Sequence, residues 1–317
     1  MITVPESVLE RFRAFSLYNS PYRAHDDGSA IDLYPASEGE SASDPAAPSP
    51  VAGEVVAIER VRAPPKPYAP EHDFLLAIDT RRADGPPLYR TDDGEAAIAR
   101  ILHVDPTVDE GVDVGDQVTV GDALGEPIRA GFFAPWVGHH IHLGFRDRDA
   151  SVRRAAGSLP VSPGTAVEAV PWDGRGTVVE TADTYVVLDR PHHPDPGERF
   201  AAIAGKLGSD SGDSERTVPV DGGLPHYEHG GVLFDRTDDR ERNGDERAIS
   251  VLDERIGSVT HRTAAWDDPT VVVEREGRDP TPVEGLSLAA SRTELGAKLI
   301  CPELSLAVGE AVQVRIQ

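Results

Sequence analysis

Cysteine is nearly absent from this chain of 317 residues, which contains only Cys301. A single cysteine cannot form a disulfide within the chain, and it cannot supply a thiolate cluster for a metal ion. Any metal site must therefore be built from histidine and carboxylate side chains. The chain provides both, with 11 histidines and 55 aspartates and glutamates.

Lysine is also scarce, since it occurs only at Lys66, Lys206 and Lys298. The formal net charge is −24, and such an acidic, lysine-poor composition indicates adaptation to high salt, which screens the self-repulsion of the charges. The sequence contains no basic stripe of the kind that nucleic-acid binders carry. We therefore expect a halophilic protein that does not bind nucleic acid.

Long apolar runs are absent as well, and no stretch reaches the length of a membrane span. Residues 1–20 include Glu6, Arg11 and Arg13 among their apolar residues. They lack the basic-then-apolar layout of a secretory signal. We expect a cytoplasmic protein without membrane association, and the composition leaves its oligomeric state open.

Short apolar or alternating segments separated by glycine and proline fill most of the chain, which predicts a mainly β protein. Residues 5–18 are the exception, because their apolar residues recur at helical spacing. Ser, Gly and Pro collect near residues 153–163. We therefore predict two domains, residues 1–156 with an N-terminal helix and residues 157–317, which are also β-rich.

The individual elements can also be placed approximately. Strands are predicted at residues 28–34, 51–58, 74–78, 97–104, 176–180, 184–188, 231–234, 270–274 and 310–316, with tight glycine turns between 111 and 125. Loops are predicted at 35–50, 207–215 and 235–246, and short helices within 258–265 and 285–300.

The segment Gly138-His139-His140-Ile141-His142-Leu143-Gly144-Phe145-Arg146 has the strongest chemical pattern in the chain. Successive side chains of a strand point to opposite faces, so His140 and His142 share one face and Ile141, Leu143 and Phe145 share the other. Two imidazoles on one strand face can bind one metal ion. The other interpretation is a pair of half-buried histidines without a ligand.

Further candidate ligands lie upstream of this segment. They are His25, Asp32, His72 and His103. Asp32 stands between Ile31 and Leu33 in a predicted strand, and a carboxylate buried there needs a partner, which a metal ion can provide. An aspartate on the solvated face of an edge strand is the alternative interpretation.

The order of these residues resembles a known family. The matching pieces are His25, Ile31-Asp32-Leu33, Ala52-Gly53-Glu54-Val55-Val56, His103, Val114-Gly115-Asp116-Gln117-Val118, Gly121-Asp122, Leu124-Gly125 and His140-Ile141-His142. In this order they resemble the lysostaphin-like (LytM-type) zinc metalloendopeptidases, β-rich enzymes best known for cutting peptide cross-links in bacterial cell walls. The resemblance covers roughly residues 20–146, and the C-terminal half lies outside it.

The resemblance implies a lysostaphin-like β-sheet or barrel-sandwich fold with one Zn²⁺ ion. It implies that His25, Asp32 and His142 bind the metal and that His103 and His140 are catalytic. One of these two would orient or deprotonate the attacking water, and the other would stabilise the oxyanion or protonate the leaving amine. The implied reaction is cleavage of a peptide or peptide-like substrate, and the sequence does not divide the two roles.

The chain departs from the family pattern at two places. His25 and Asp32 are farther apart than the corresponding pair usually is, so Asp27 is an alternative ligand. The Gly- and Ser-rich run that normally precedes His-x-His is replaced by residues 130–138, which include two phenylalanines and a tryptophan. We therefore expect a more apolar substrate groove.

Other functions compete with the hydrolase. A catalytically idle metal-binding scaffold or regulatory module is favoured by the altered groove, although an idle site has no need of His103 and His140. A lipoyl- or biotinyl-type carrier requires an acceptor lysine, and residues 111–125 contain none. His226 and His229 form a second candidate metal or contact site, for which a polar, glycine-rich turn is the alternative interpretation.

Overall fold

The computed structural model describes residues 1–35, 46–81, 88–109, 111–154, 156–208, 215–233 and 246–317. Strands make up 47% of the chain and helices 3%, which confirms the mainly β prediction. The chain divides into two compact units, a first formed by residues 1–15 and 28–164 and a second formed by residues 16–27 and 165–317. The loops predicted at 35–50, 207–215 and 235–246 lie largely outside the described residues.

Helices are short in the described residues. They are α1 (Glu6–Leu9) and α2 (Arg23–Asp26). No helix in this part of the chain is long and apolar enough to cross a membrane.

The first unit contains eleven described strands. They are β1 (Ile2–Pro5), β2 (Phe12–Ser16), β3 (Ala30–Pro35), β4 (Gly53–Arg62), β5 (His72–Asp79), β6 (Ile98–Leu102), β7 (Val104–Asp105), β8 (Gln117–Val118), β9 (Glu126–Pro127), β10 (Ile141–Arg146) and β11 (Val161–Gly164). The second of them, β2, ends at Ser16, which is the first residue of the second unit.

The prediction of an N-terminal helix over residues 5–18 is wrong beyond its first turn. The helix ends at Leu9, and Phe12–Ser16 forms β2, which pairs with β3. Phe12 and Phe15 are buried in the folded chain. Their spacing of three residues fits one face of a helix, whereas in a strand it places them on opposite faces. Pairing with β3 decides for the strand.

An antiparallel sheet with the strand order β3–β10–β6–β5–β4–β8 forms the centre of the first unit. Strand β10 lies between β3 and β6, and its residue His142 pairs with Asp32 on one side and with Leu102 on the other. Ile141, Leu143 and Phe145 are completely buried, as their alternation predicts. The opposite face of β10 therefore presents His142, and His140 directly precedes the strand.

The ends of the first unit are joined by a separate pair of strands. β1 and β11 pair in parallel, with Ile2 opposite Val161.

The predicted glycine turns are present at Gly115 and Gly121, which have φ angles of 101° and 99°. These values lie in the left-handed region that glycine enters without steric cost.

The second unit contains the remaining strands. They are β12 (Val167–Val170), β13 (Arg175–Thr181), β14 (Tyr185–Leu188), β15 (Phe200–Leu207), β16 (Arg216–Leu224), β17 (His229–Val232), β18 (Arg247–Val251), β19 (Glu254–Thr260), β20 (Thr263–Trp266), β21 (Val271–Glu274), β22 (Thr281–Val283), β23 (Gly285–Leu288), β24 (Ala290–Ser291), β25 (Lys298–Ile300) and β26 (Ala311–Ile316).

Six of these strands close into a barrel. The pairing runs β15–β16–β17–β20–β19–β18 and returns to β15. The short helices predicted within 258–265 and 285–300 are wrong, because the described residues there form β19, β20, β23, β24 and β25. Their apolar residues join a core that includes Val218, Ile249 and Val259, so strand pairing and burial outweigh the weak local helical pattern.

A buried carboxylate binds the start of the segment 16–27 within the second unit. Asp221 on β16 accepts hydrogen bonds from the Ser16 hydroxyl at 2.6 Å, from the Leu17 amide at 2.6 Å and from the Tyr18 amide at 3.1 Å. Its side chain is fully buried, and burial raises its pKa to about 7 although the three hydrogen bonds and the nearby His25 lower it.

We expect this carboxyl to make the stability of the protein depend on pH. Its pKa rises from an ordinary 3.8 to about 7 on folding, so the folded chain binds a proton that the unfolded chain has released. The free energy of unfolding should therefore fall as the pH rises through this interval. Denaturant titrations in concentrated KCl should show this slope for the wild type and a flatter one for Asp221→Asn, which cannot ionise; identical slopes would contradict the assignment.

Candidate metal centre

The pairing of β3 with β10 positions the first two candidate ligands. Asp32 and His142 are direct partners in the register, so their side chains leave the same face of the sheet. The Nδ1 atom of His142 lies 2.9 Å from Asp32 Oδ1. Asp32 is 3% exposed, so its carboxylate is removed from bulk water and depends on the groups around it.

His25 provides the third candidate ligand. It lies in the single turn of α2 and is 1% exposed. Its Nδ1 is 2.7 Å from the Leu17 carbonyl oxygen, which leaves Nε2 as the nitrogen that can bind a metal. One potential ligand atom from each of His25, Asp32 and His142 lies within 4.8 Å of the other two.

This donor set fits a metal ion. Two imidazole nitrogens and one carboxylate oxygen are ligands that zinc and related divalent ions accept. A carbonyl that holds the second nitrogen of a histidine, as Leu17 does for His25, is the usual outer partner of such a ligand. The structure therefore contains a possible metal site made of the three residues that the sequence indicated.

Two further histidines lie beside this triad. The His140 ring has Nε2 3.4 Å from Asp32 Oδ2 and Nδ1 3.0 Å from the Gly138 carbonyl oxygen. His103 directly follows β6, and its ring centre is 5.0 Å from that of His140 and 5.8 Å from that of His142. Burial lowers the pKa of His140 to about 4, although Asp32 opposes this shift, so its ring is neutral at neutral pH.

Aromatic side chains cover these two histidines. The Phe133 ring stacks on His140 with centres 4.3 Å apart and meets His103 edge-on at 4.7 Å. Tyr34 approaches His140 at 5.4 Å, and Phe132 approaches His103 at 6.2 Å. Phe132 and Phe133 of the segment 130–138, together with Tyr34, thus place apolar ring surface next to both histidines.

Sequence reasoning missed Asp73. This residue lies on β5, and its carboxylate oxygen Oδ2 is 2.6 Å from His103 Nδ1. Its only signal in the sequence is a polar residue between His72 and the predicted buried run 74–78. The contact depends on which strands are neighbours, because β5 pairs with β6 and His103 follows β6.

The remaining candidates stay outside the triad in the described part of the chain. His72 is half-buried on β5, and neither it nor Asp27 belongs to a group with metal-binding geometry. His229 contacts Asp26 Oδ1 at 2.8 Å and the Ser20 carbonyl oxygen at 2.9 Å. His226 also lies outside the triad. Burial lowers its pKa to about 4.

Comparison with known families assigns both parts of the chain. Residues 3–163 match the N-terminal domain, and residues 168–317 the C-terminal domain, of a domain of unknown function, DUF8155. The chain belongs to the DUF8155 family. No curated protein and no solved structure matches it. The description of DUF8155 states no activity.

Metal stoichiometry tests the ligand assignment in this DUF8155 protein. Purified in concentrated KCl and supplied with Zn²⁺, the wild type should hold about one ion per chain. His142→Ala should weaken binding by at least about a hundredfold, because it removes a ligand. His140→Ala should retain the metal, because His140 lies outside the triad.

Elemental mass spectrometry after dialysis against a weak chelator measures these differences. His261→Asn is the matched control, since His261 is an exposed turn residue with φ 55° and asparagine tolerates that conformation. Stoichiometric zinc in His142→Ala would contradict the ligand assignment.

Proposed function

We propose that this protein is a zinc-dependent hydrolase of the lysostaphin-like metallopeptidase type that cleaves peptide bonds. The observation that carries the proposal is the position of His103 and His140 beside the His25–Asp32–His142 triad, with their ring centres 5.0 Å apart. A site that only stores a metal needs its ligands. It does not need two further buried histidines whose rings meet next to them.

The donor set supports zinc as the metal. The three side chains are compatible with its preference for nitrogen and oxygen ligands, and a three-ligand site leaves a coordination position open. When bound in such a site, zinc supplies a water molecule whose pKa is lowered to about 7 and polarises a carbonyl group.

The chain's own residues would provide the remaining chemistry. A hydrolase needs a group that accepts the proton of the attacking water and a group that stabilises the developing oxyanion or protonates the leaving amine. His103 and His140 lie beside the triad and can do so. Both are largely withdrawn from water, at 6% and 4% exposed, which strengthens their electrostatic effect on a bound substrate.

The surroundings favour a peptide or peptide-like substrate with apolar groups near the cleaved bond. Phe132, Phe133 and Tyr34 flank the two histidines. Such a wall offers contact area to apolar side chains and little to strongly charged ones. The protein as a whole has a net charge of −24, which disfavours nucleic acid as the substrate.

One observation favours a different function, a metal-binding scaffold without catalytic activity. Phe133 lies on the His140 ring, with centres 4.3 Å apart and planes 19° apart. A ring stacked so closely restricts the space for a substrate on that side of His140. A scaffold would bind the metal equally well and would not hydrolyse any peptide.

Peptide cleavage distinguishes the two functions. The zinc-loaded protein in concentrated KCl, incubated with a mixed library of synthetic peptides, should produce new termini that mass spectrometry detects. His103→Gln and His140→Ala should reduce the rate by about a hundredfold to ten-thousandfold, which is the usual contribution of an acid–base group, while they retain zinc.

His261→Asn again serves as the control and should cleave at the wild-type rate. Phe133→Ala separates the functions further, because it removes the ring that covers His140. If the wild type and Phe133→Ala both bind zinc and neither cleaves any peptide, the scaffold function replaces the hydrolase.

A further inference from the structure

The Asp73 side chain is completely buried at the start of β5 and contacts His103 twice. Its Oδ1 accepts a hydrogen bond from the His103 backbone amide at 3.0 Å, and its Oδ2 lies 2.6 Å from the His103 ring nitrogen Nδ1. The same Oδ1 accepts a hydrogen bond from the Phe74 amide at 2.7 Å. One carboxylate therefore holds both the backbone and the ring of His103.

The backbone of His103 needs such support. Its φ angle is 71°, which lies in the left-handed region that residues other than glycine rarely adopt. Such conformations persist where the surrounding structure holds them in place. The hydrogen bond from the His103 amide to Asp73 is one of the contacts that fix this conformation, and it thereby fixes the direction of the side chain.

The ring contact determines which nitrogen of His103 carries the proton. An ionised carboxylate can only accept hydrogen bonds, so in the neutral ring Nδ1 must be the protonated nitrogen. Nε2 then has an unshared electron pair. In the described part of the chain, Nε2 of His103 has no hydrogen-bond partner of its own.

His140 differs from His103 in the contacts of its two ring nitrogens. Its Nε2 faces Asp32 Oδ2 at 3.4 Å, and its Nδ1 faces the Gly138 carbonyl oxygen. Protein oxygen atoms therefore lie next to both of its nitrogens. Of the two histidines beside the triad, His103 is the one whose geometry leaves a nitrogen available to accept a proton.

We propose that Asp73 is a positioning residue that holds His103 in the Nδ1-protonated form, so that Nε2 of His103 accepts the proton of the attacking water. In this step the O–H bond of the water breaks as the Nε2–H bond forms, and the resulting hydroxide adds to the substrate carbonyl. The same nitrogen can return the proton to the departing amine. This inference rests on the proposed hydrolase function and divides roles that the sequence leaves open.

The tautomer of His103 can be measured without a substrate. Long-range ¹H–¹⁵N NMR spectra of the uniformly labelled full chain distinguish the two neutral forms of a histidine ring, and the spectrum of His103→Gln identifies the signal of His103 by its loss. The wild type should show Nδ1 protonated and Nε2 unprotonated. A wild-type spectrum with the proton on Nε2 would overturn the proposal before any Asp73 variant is made.

Asp73→Asn tests the cause of this state, because its amide group can donate a hydrogen bond to Nδ1 where the carboxylate cannot. Asp79→Asn is the matched control. Asp79 lies on the same strand, is 4% exposed and pairs with Arg81 and Arg148 instead of a histidine. We expect the proton to move to Nε2 in Asp73→Asn and to remain on Nδ1 in Asp79→Asn.

Zinc content and peptide cleavage complete the test. Asp73→Asn should keep its zinc, because Asp73 is not part of the triad, and should lose about tenfold to a hundredfold in cleavage rate. An unchanged tautomer or an unchanged rate in folded Asp73→Asn would overturn the positioning role. If the wild type itself neither binds zinc nor cleaves peptides, the proposed hydrolase function fails, whereas the tautomer result still shows whether Asp73 controls His103.

Discussion

The pairing of β10 with β3 and β6 is the constraint on which the candidate site depends. A shift of one residue along either neighbour would turn His142 into the core and Ile141 out of it. Ile141 and Leu143 are completely buried, so such a shift would expose apolar surface on one face and bury polar groups on the other. The core on one face of the strand therefore maintains the alignment of Asp32 and His142 on the opposite face.

Three buried aspartates each depend on specific hydrogen-bonding partners. Asp32, Asp73 and Asp221 are each almost completely withdrawn from water, and a carboxylate in that position is stable only with specific partners. Asp32 has imidazoles next to it, Asp73 has the amide and ring of His103, and Asp221 has the hydroxyl and amides of residues 16–18. Each therefore specifies the position of a particular neighbouring segment.

Phe133 affects both the access of a substrate to the site and the electrostatics within it. His103 and His140 are covered by Phe133, so the same ring that excludes water from the two imidazoles also limits the space next to them. Exclusion of water strengthens electrostatic interactions in the site. Catalysis at His140 would therefore require the Phe133 ring to move when a peptide approaches.

Much of the fold and of the candidate site could be predicted from the sequence, because the patterns concerned are local. Alternation along residues 141–145 identified the buried face, and the scarcity of cysteine restricted the ligands to histidine and carboxylates. Tertiary structure alone decided that residues 12–16 form a strand and that Asp73 meets His103. These outcomes depend on strand order and register, which packing of the whole sheet sets and which no stretch of sequence contains by itself.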